Sequence, residues 1–158
     1  MTTHARRSDG SAPTMLELVE SLPRQLRESA KLVEGVALPR PTAGRGVIVC
    51  GMGGSAAAAT LVQGCTLESG PRVDVVRAYS IPAALDADST LVFSSYSGNT
   101  EETLSAYDHA KSARPSAPRV VISSGGALVE RARLVGIDAE GHAPGVLQVH
   151  RRGGRAQT

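Results

Sequence analysis

A chain of 158 residues is long enough for one domain with a real core and short for two. A formal net charge of +2 argues against a chain devoted to nucleic acid, although the ends "HARR" and "HRRGGR" are locally basic. Aromatic residues make up only 3 %, with no Trp, so the core has to be built from Ala, Val, Leu and Ile.

Residues 1–13 are polar, hold Ser and Arg, and end at Pro13, which reads as a disordered tail. "TMLELVESL" then offers Thr14 as an N-cap with Glu17 three residues on, a capping box, and Met15, Leu18, Val19 and Leu22 recur at helical spacing. Pro23 suits the first turn of a second helix, in which Leu26, Ala30 and Val33 share a face and Gly35 ends the run. Residues 14–40 are therefore expected to form an antiparallel or bent helical pair.

Beyond "ALPRPTAGRG" the pattern changes. "VIVC", "VDVV", "TLVF" and "RVVIS" are short, β-branched and continuously apolar, as strands buried on both faces are. Segments of helical length lie between most of them, so residues 41–145 are expected to form an α/β domain, a doubly wound parallel sheet flanked by helices with right-handed crossovers. A weaker strand is expected near "GIDAE", and residues 146–158 show no pattern beyond a basic, Arg/Gly-rich end. Cys50 and Cys65 both fall in elements expected to be buried, without a CxxC pair or a secretory signal, which suits reduced thiols in the cytoplasm. "GVIVCGMGGSAAAATLV" is broken by glycines and is shorter than the ~20 apolar residues of a spanning helix, so no membrane role is expected.

Ligands of open parallel sheets bind beyond the carboxyl ends of the strands, and three such ends lead into small polar turns. At the first, Gly51, Gly53 and Gly54 allow a sharp turn, and Ser55 begins a helix whose bare N–H groups attract an anion. Gly51-x-Gly53-x-x-Ala56 also fits the permissive dinucleotide fingerprint, but the acidic residue expected about 20 positions on should close the next strand, and Asp74 lies inside it. No Gly-Lys-Ser/Thr follows, so a Walker A loop is excluded. A tight structural turn is the plain alternative.

The second end, "SSYSGNTEETL", places Ser95 and Ser97 off the strand, with Gly98 permitting the turn and Asn99 or Thr100 opening a helix. Asn99 as cap with Glu102 three residues on would account for the carboxylates. It would not account for Ser95, Ser97 and Thr100 together, three hydroxyls that with exposed N–H groups make a neutral, donor-rich cup for a phosphate. The third end, Ser123–Ser124–Gly125–Gly126, repeats the theme and reads as well as a mere connection.

"GMGGS", then "SYSGNTEETL" about forty residues later, then "SSGGAL", together resemble the sugar isomerase (SIS) domain, and within it the N-terminal half of the bifunctional phosphoglucose/phosphomannose isomerases, over residues 14–140. The resemblance implies an SIS-type α/β domain that binds a phosphorylated hexose, with Gly53, Gly54 and Ser55 at the sugar or phosphate and Ser95, Ser97 and Thr100 holding the phosphate. It implies interconversion of glucose 6-phosphate or mannose 6-phosphate with fructose 6-phosphate through an enediol(ate), with no metal or organic cofactor. It also implies a second SIS half, or a partner subunit in a homodimer, to supply the catalytic base and the ring-opening histidine. The Pro-Arg segment that follows the first half in the family has no counterpart in "APGVLQVHRRGGRAQT", and alignment supports neither Arg151 nor Arg152 in its place. The loss of pattern after Gly145 is read as a truncation or a shifted frame.

Within these residues no catalytic set assembles. His109 lies two turns into a helix, His142 and His150 in unpatterned sequence and His4 in the tail, while Glu101 or Glu102 as base would have to approach a phosphate dianion. A non-catalytic sugar-phosphate sensor or regulatory module is therefore the second reading, without nucleic acid as partner because the N-terminal pair has no basic recognition helix. A dinucleotide-binding domain is the third, disfavoured by Asp74 and the doubled serine motif.

Overall fold

The computed structural model describes residues 14–34, 45–134 and 145–148. The tail, the "GIDAE" segment, His4, His142, His150, Arg151 and Arg152 lie outside the described residues. The chain divides into two units, one holding the N-terminal helices and the other the sheet with its helices.

In the first unit α1 (Met15–Glu20) and α2 (Leu22–Val33) follow one another across a single residue. The capping box is present: the Glu17 N–H donates to Thr14 Oγ1 at 3.3 Å, and the Thr14 N–H donates to Glu17 Oε2 at 2.7 Å. Pro23 has no N–H to continue the ladder, so the helix is interrupted rather than reversed. Ser21 keeps a right-handed helical backbone, and its N–H and C=O bond Glu17 and Gln25 on either side. Of the two arrangements expected, the bent one forms.

The second unit is a five-stranded parallel sheet of order β2-β1-β3-β4-β5, made of β1 (Val47–Gly51), β2 (Val73–Val76), β3 (Thr90–Ser94), β4 (Arg119–Ser123) and β5 (Gly145–Gln148). Every neighbouring pair runs parallel, with Val47 opposite Val73 and Thr90, and Leu91 opposite Arg119. The helices are α3 (Gly53–Thr66), α4 (Glu101–Ala113) and α5 (Gly126–Leu134). The α/β architecture expected from alternating strands and helices is the one observed. The fifth strand, however, is "GVLQ", beyond the segment chosen for it and in sequence read as patternless; four residues are too few to show a period.

Helices cover both faces. One core joins Ile48, Cys50, Leu91, Phe93 and Val121 of the sheet to Ala106, Tyr107 and Ala110 of α4 and Leu128, Val129 and Ala132 of α5. The buried Ala56 and Ala59 of α3 lie apart from that core, against β1 and β2 on the opposite face. In so aromatic-poor a core the edge-to-face pair Phe93–Tyr107, with centroids 5.0 Å apart, is the largest single packing element. The Tyr107 hydroxyl has no partner among the described residues, and burial pushes its pKa up.

The connection from β2 to β3 carries no helix. Arg114, buried at the end of α4, takes its place as an anchor, donating to the carbonyl oxygens of Asp86 (2.7 Å), Leu85 (2.9 Å) and Pro82 (3.1 Å). Cys50 is buried, as expected, but Cys65 is exposed near the end of α3, whose outer side also exposes Leu61 and Val62. Among the described residues no helix is long and apolar enough to cross a membrane.

Candidate functional site

The chain leaves β1 toward β2 on one side and β3 toward β4 and β5 on the other, so the winding reverses between the adjacent strands β1 and β3. A crevice opens at such a reversal, beyond the strands' carboxyl ends, because the two following loops diverge. The glycine turn after β1 and the serine turn after β3 sit there side by side. Gly51 is opposite Ser94, and a β-carbon on Gly51 would fall 2.8 Å from the Ser94 carbonyl oxygen and 3.4 Å from Ser55 Cβ. Ser55 is thereby placed over the boundary between the two strands.

Gly53 and Gly54 are exposed, and a β-carbon on either would meet nothing within 4 Å. Gly53 has φ +50°, the left-handed conformation that lets the chain turn from strand into helix without a side chain in the way. The first ladder bonds of α3 run from the Ser55 and Ala56 N–H groups to Met52 O, and no side chain caps the helix. Among the described residues the N–H groups of Gly53 and Gly54 have no acceptor, which leaves the positive end of the helix dipole bare toward the crevice.

The serine turn is more ordered than a row of free hydroxyls. Ser95 is buried, and its Oγ lies 2.9 Å from Thr100 Oγ1 and accepts the Gly98 N–H at 3.1 Å. Ser97 is exposed, and its Oγ accepts the Asn99 N–H at 3.2 Å, so the hydroxyl proton is free to turn toward a ligand. Thr100, half-buried, is the N-cap of α4 by its backbone, but with Oγ1 committed to Ser95 it makes no side-chain cap. The Glu101 and Glu102 N–H groups consequently have no acceptor among the described residues. The two carboxylates are close enough to Tyr79, exposed beyond β2, to raise its pKa.

Asn99 does not cap α4. Its Oδ1 accepts the Ala127 N–H at 3.0 Å, at the start of α5. The third strand end is here a clasp rather than a ligand site: the Leu128 N–H donates to Gly98 O at 2.9 Å, the Ser124 N–H to Tyr96 O at 3.1 Å, and Ser123 Oγ to Gly125 O at 2.8 Å. Gly98 has φ +68°, and a β-carbon on it would overlap the Gly125 carbonyl oxygen; one on Gly126 would overlap Ser97 O. The Ser-Ser-Gly-Gly turn was thus legible as polar and flexible, but its partner is the neighbouring loop.

The other candidates are committed elsewhere. His109 accepts the Ile81 N–H on Nδ1 at 3.4 Å, toward the β2–β3 connection. Asp74 pairs with Arg72 (Arg72 Nε to Asp74 Oδ2, 2.9 Å) in the first half of β2, away from the strand end where a ribose-binding carboxylate belongs. Burial raises the Cys50 thiol to about 12, so it is no nucleophile. No group of metal-ligating side chains occurs among the described residues.

No protein-family profile matches the chain. It is 36 % identical over 127 residues to the bifunctional phosphoglucose/phosphomannose isomerase of Caldicellulosiruptor bescii, a match that covers 78 % of this chain and 37 % of that protein. Proteins of the same name from Aquifex aeolicus and Thermoplasma acidophilum are 35 % and 39 % identical, over 60 % and 65 % of this chain and 29 % and 30 % of theirs. The chain therefore spans about a third of the length of the curated relatives it matches. Among solved structures, a protein assigned as a phosphosugar isomerase of capsule formation in Bacteroides fragilis aligns with a TM-score of 0.49 at 16 % identity, over 83 % of this chain and 72 % of the other. The resemblance read from the glycine and serine motifs is borne out by the curated relatives.

Proposed function

We propose that this chain, a homologue of part of the bifunctional phosphoglucose/phosphomannose isomerases, is the sugar-phosphate-binding SIS portion of an aldose–ketose isomerase. The observation that supports it most is the pairing, at the reversal between β1 and β3, of two helix starts with uncommitted N–H groups and the Ser97 and Thr100 hydroxyls. A phosphate there would take N–H donors from Gly53 and Gly54, hydroxyls from Ser55, Ser97 and Thr100, and the favourable ends of two helix dipoles. Ser95, beneath them, orients Thr100. With the phosphate anchored, the sugar carbons extend away from the sheet, so the ring-opening group and the base that moves a proton between C1 and C2 come from outside the cup. In our reading they belong to a second SIS half or to a partner subunit. The substrates are glucose 6-phosphate or mannose 6-phosphate and fructose 6-phosphate, and the location is the cytoplasm, in keeping with two free cysteines.

One observation favours a second reading, a sensor or regulatory module: the histidine nearest the cup in sequence is turned to the Ile81 N–H rather than to a ligand. Isomerase activity of the full chain would exclude it.

A thermal melt of the purified chain tests the cup. Fructose 6-phosphate at 100 times its dissociation constant should stabilise the fold by about 2.7 kcal/mol, and fructose with inorganic phosphate should do less. The doubly substituted Ser97→Ala/Thr100→Ala chain should melt somewhat lower without ligand, because the Ser95–Thr100 and Ser97–Asn99 hydrogen bonds are lost. It should also lose much of the ligand-induced shift, each lost hydrogen bond costing about 0.5–3 kcal/mol. An equal shift in the double variant would sink the proposal.

A further inference from the structure

The clasp between the two loops joins backbone to backbone twice, and the Ser124 hydroxyl adds a second bond to Tyr96 O. Tyr96 and Gly98 contribute carbonyl oxygens, Ser124 and Leu128 contribute N–H groups, and glycines at 98 and 126 let the loops approach. From the serine loop Asn99 joins by its side chain, and it stands between Ser97 and Thr100. Its N–H holds Ser97 Oγ while its Oδ1 holds the Ala127 N–H, so one residue ties the exposed hydroxyl of the cup to the start of α5.

Asn99 acts as an N-cap supplied to α5 from another element. For that task Asn and Asp serve about equally, and the helix dipole prefers the carboxylate. Stability alone therefore gives no reason for an amide. A phosphate dianion bound between the hydroxyls on either side does, because a carboxylate there would repel it.

Resting on the phosphate-cup reading, we propose that Asn99 is the positioning residue of the cup: it fixes the Ser97–Thr100 turn against α5 and has to be neutral because the ligand beside it is an anion.

Binding of fructose 6-phosphate to the full chain, measured by titration calorimetry at low and high salt beside a thermal melt, tests this with Asn99→Asp and Asn99→Ala. Asn99→Asp keeps the acceptor, so the melt should be unchanged or higher. Affinity should nonetheless fall by about tenfold at low ionic strength and recover toward the parent value in high salt, where charge repulsion is screened. Asn99→Ala loses the clasp, so its affinity should fall several-fold with no recovery in salt, and its melt should be lower. A purely structural Asn99 would make affinity follow melting temperature in both variants. That outcome, or parent-like affinity of Asn99→Asp at low salt, would overturn the proposal while leaving the cup intact, provided Ser97→Ala/Thr100→Ala still weakens binding. If the parent chain binds no fructose 6-phosphate, the cup reading fails and this proposal with it.

Discussion

Gly54 and Gly98 stand at neighbouring strand ends under opposite constraints. Gly98 is buried with φ +68°, and the space its β-carbon would need is filled by the Gly125 carbonyl. Gly98→Ala has to strain the backbone and part the two loops, so we expect a loss of about 2–4 kcal/mol in urea unfolding. Gly54 lies in the first turn of α3 with open space around it. Gly54→Ala should keep the fold or stabilise it by up to about 1 kcal/mol, because alanine is the better helix former. If the open space is where the sugar phosphate approaches, the same methyl should weaken fructose 6-phosphate binding. An alanine at 54 that raises stability and leaves binding untouched would remove Gly54 from the site. Both glycines were visible in the sequence as turn formers. Which was needed by the fold and which left room for a ligand depended on the loop across from each, and that is tertiary information.

Elements were readable where their pattern was long or strong. Four strands announced themselves as β-branched runs, and the Thr14–Glu17 capping box as a local motif, since both signals lie within a few consecutive residues. Asn99 was misread because capping α4 is the local option, whereas its bond to Ala127 spans 28 positions. The same limit hid Arg114, whose three carbonyl partners lie up to 32 residues upstream, in a connection with no regular structure of its own. A guanidinium can donate to several carbonyls at once from one plane; an ammonium cannot keep all three. Arg114→Lys should therefore cost about 1–2 kcal/mol and Arg114→Ala about 2–4 kcal/mol, the larger figure from carbonyls left without donors. Hydrogen exchange at the Ile81 amide should quicken in both variants. Unaltered exchange would mean that the His109 acceptor alone secures that segment.

At the scale of the whole sheet domain, the core that positions the site contains two ionisable groups that it keeps neutral. Cys50 is the penultimate residue of β1, just before Gly51, and Tyr107 packs on Phe93 of the central strand β3. Burial raises the thiol to about 12, with the Arg114 charge opposing in part, and burial likewise raises the Tyr107 phenol, with Arg119 opposing. Below the ordinary thiol value of about 8.5 both states of the protein hold the proton, and stability does not depend on this group. Above it the unfolded chain releases a proton that the folded chain retains, so stability falls as pH rises, by at most about 1.4 kcal/mol per pH unit for one group, until the folded value is reached. Urea unfolding at pH 7, 8, 9 and 10 should show a plateau and then a decline. Cys50→Ala should be less stable at neutral pH, because a buried sulfur is replaced by space, yet its decline above pH 9 should be shallower than that of the parent. Equal slopes would mean that Cys50 ionises in the folded chain as readily as in the unfolded one, and that water reaches the end of β1. Wet surroundings at that strand end would count against the proposed phosphate cup, since hydroxyls and N–H groups in place of a lysine need a low-dielectric setting.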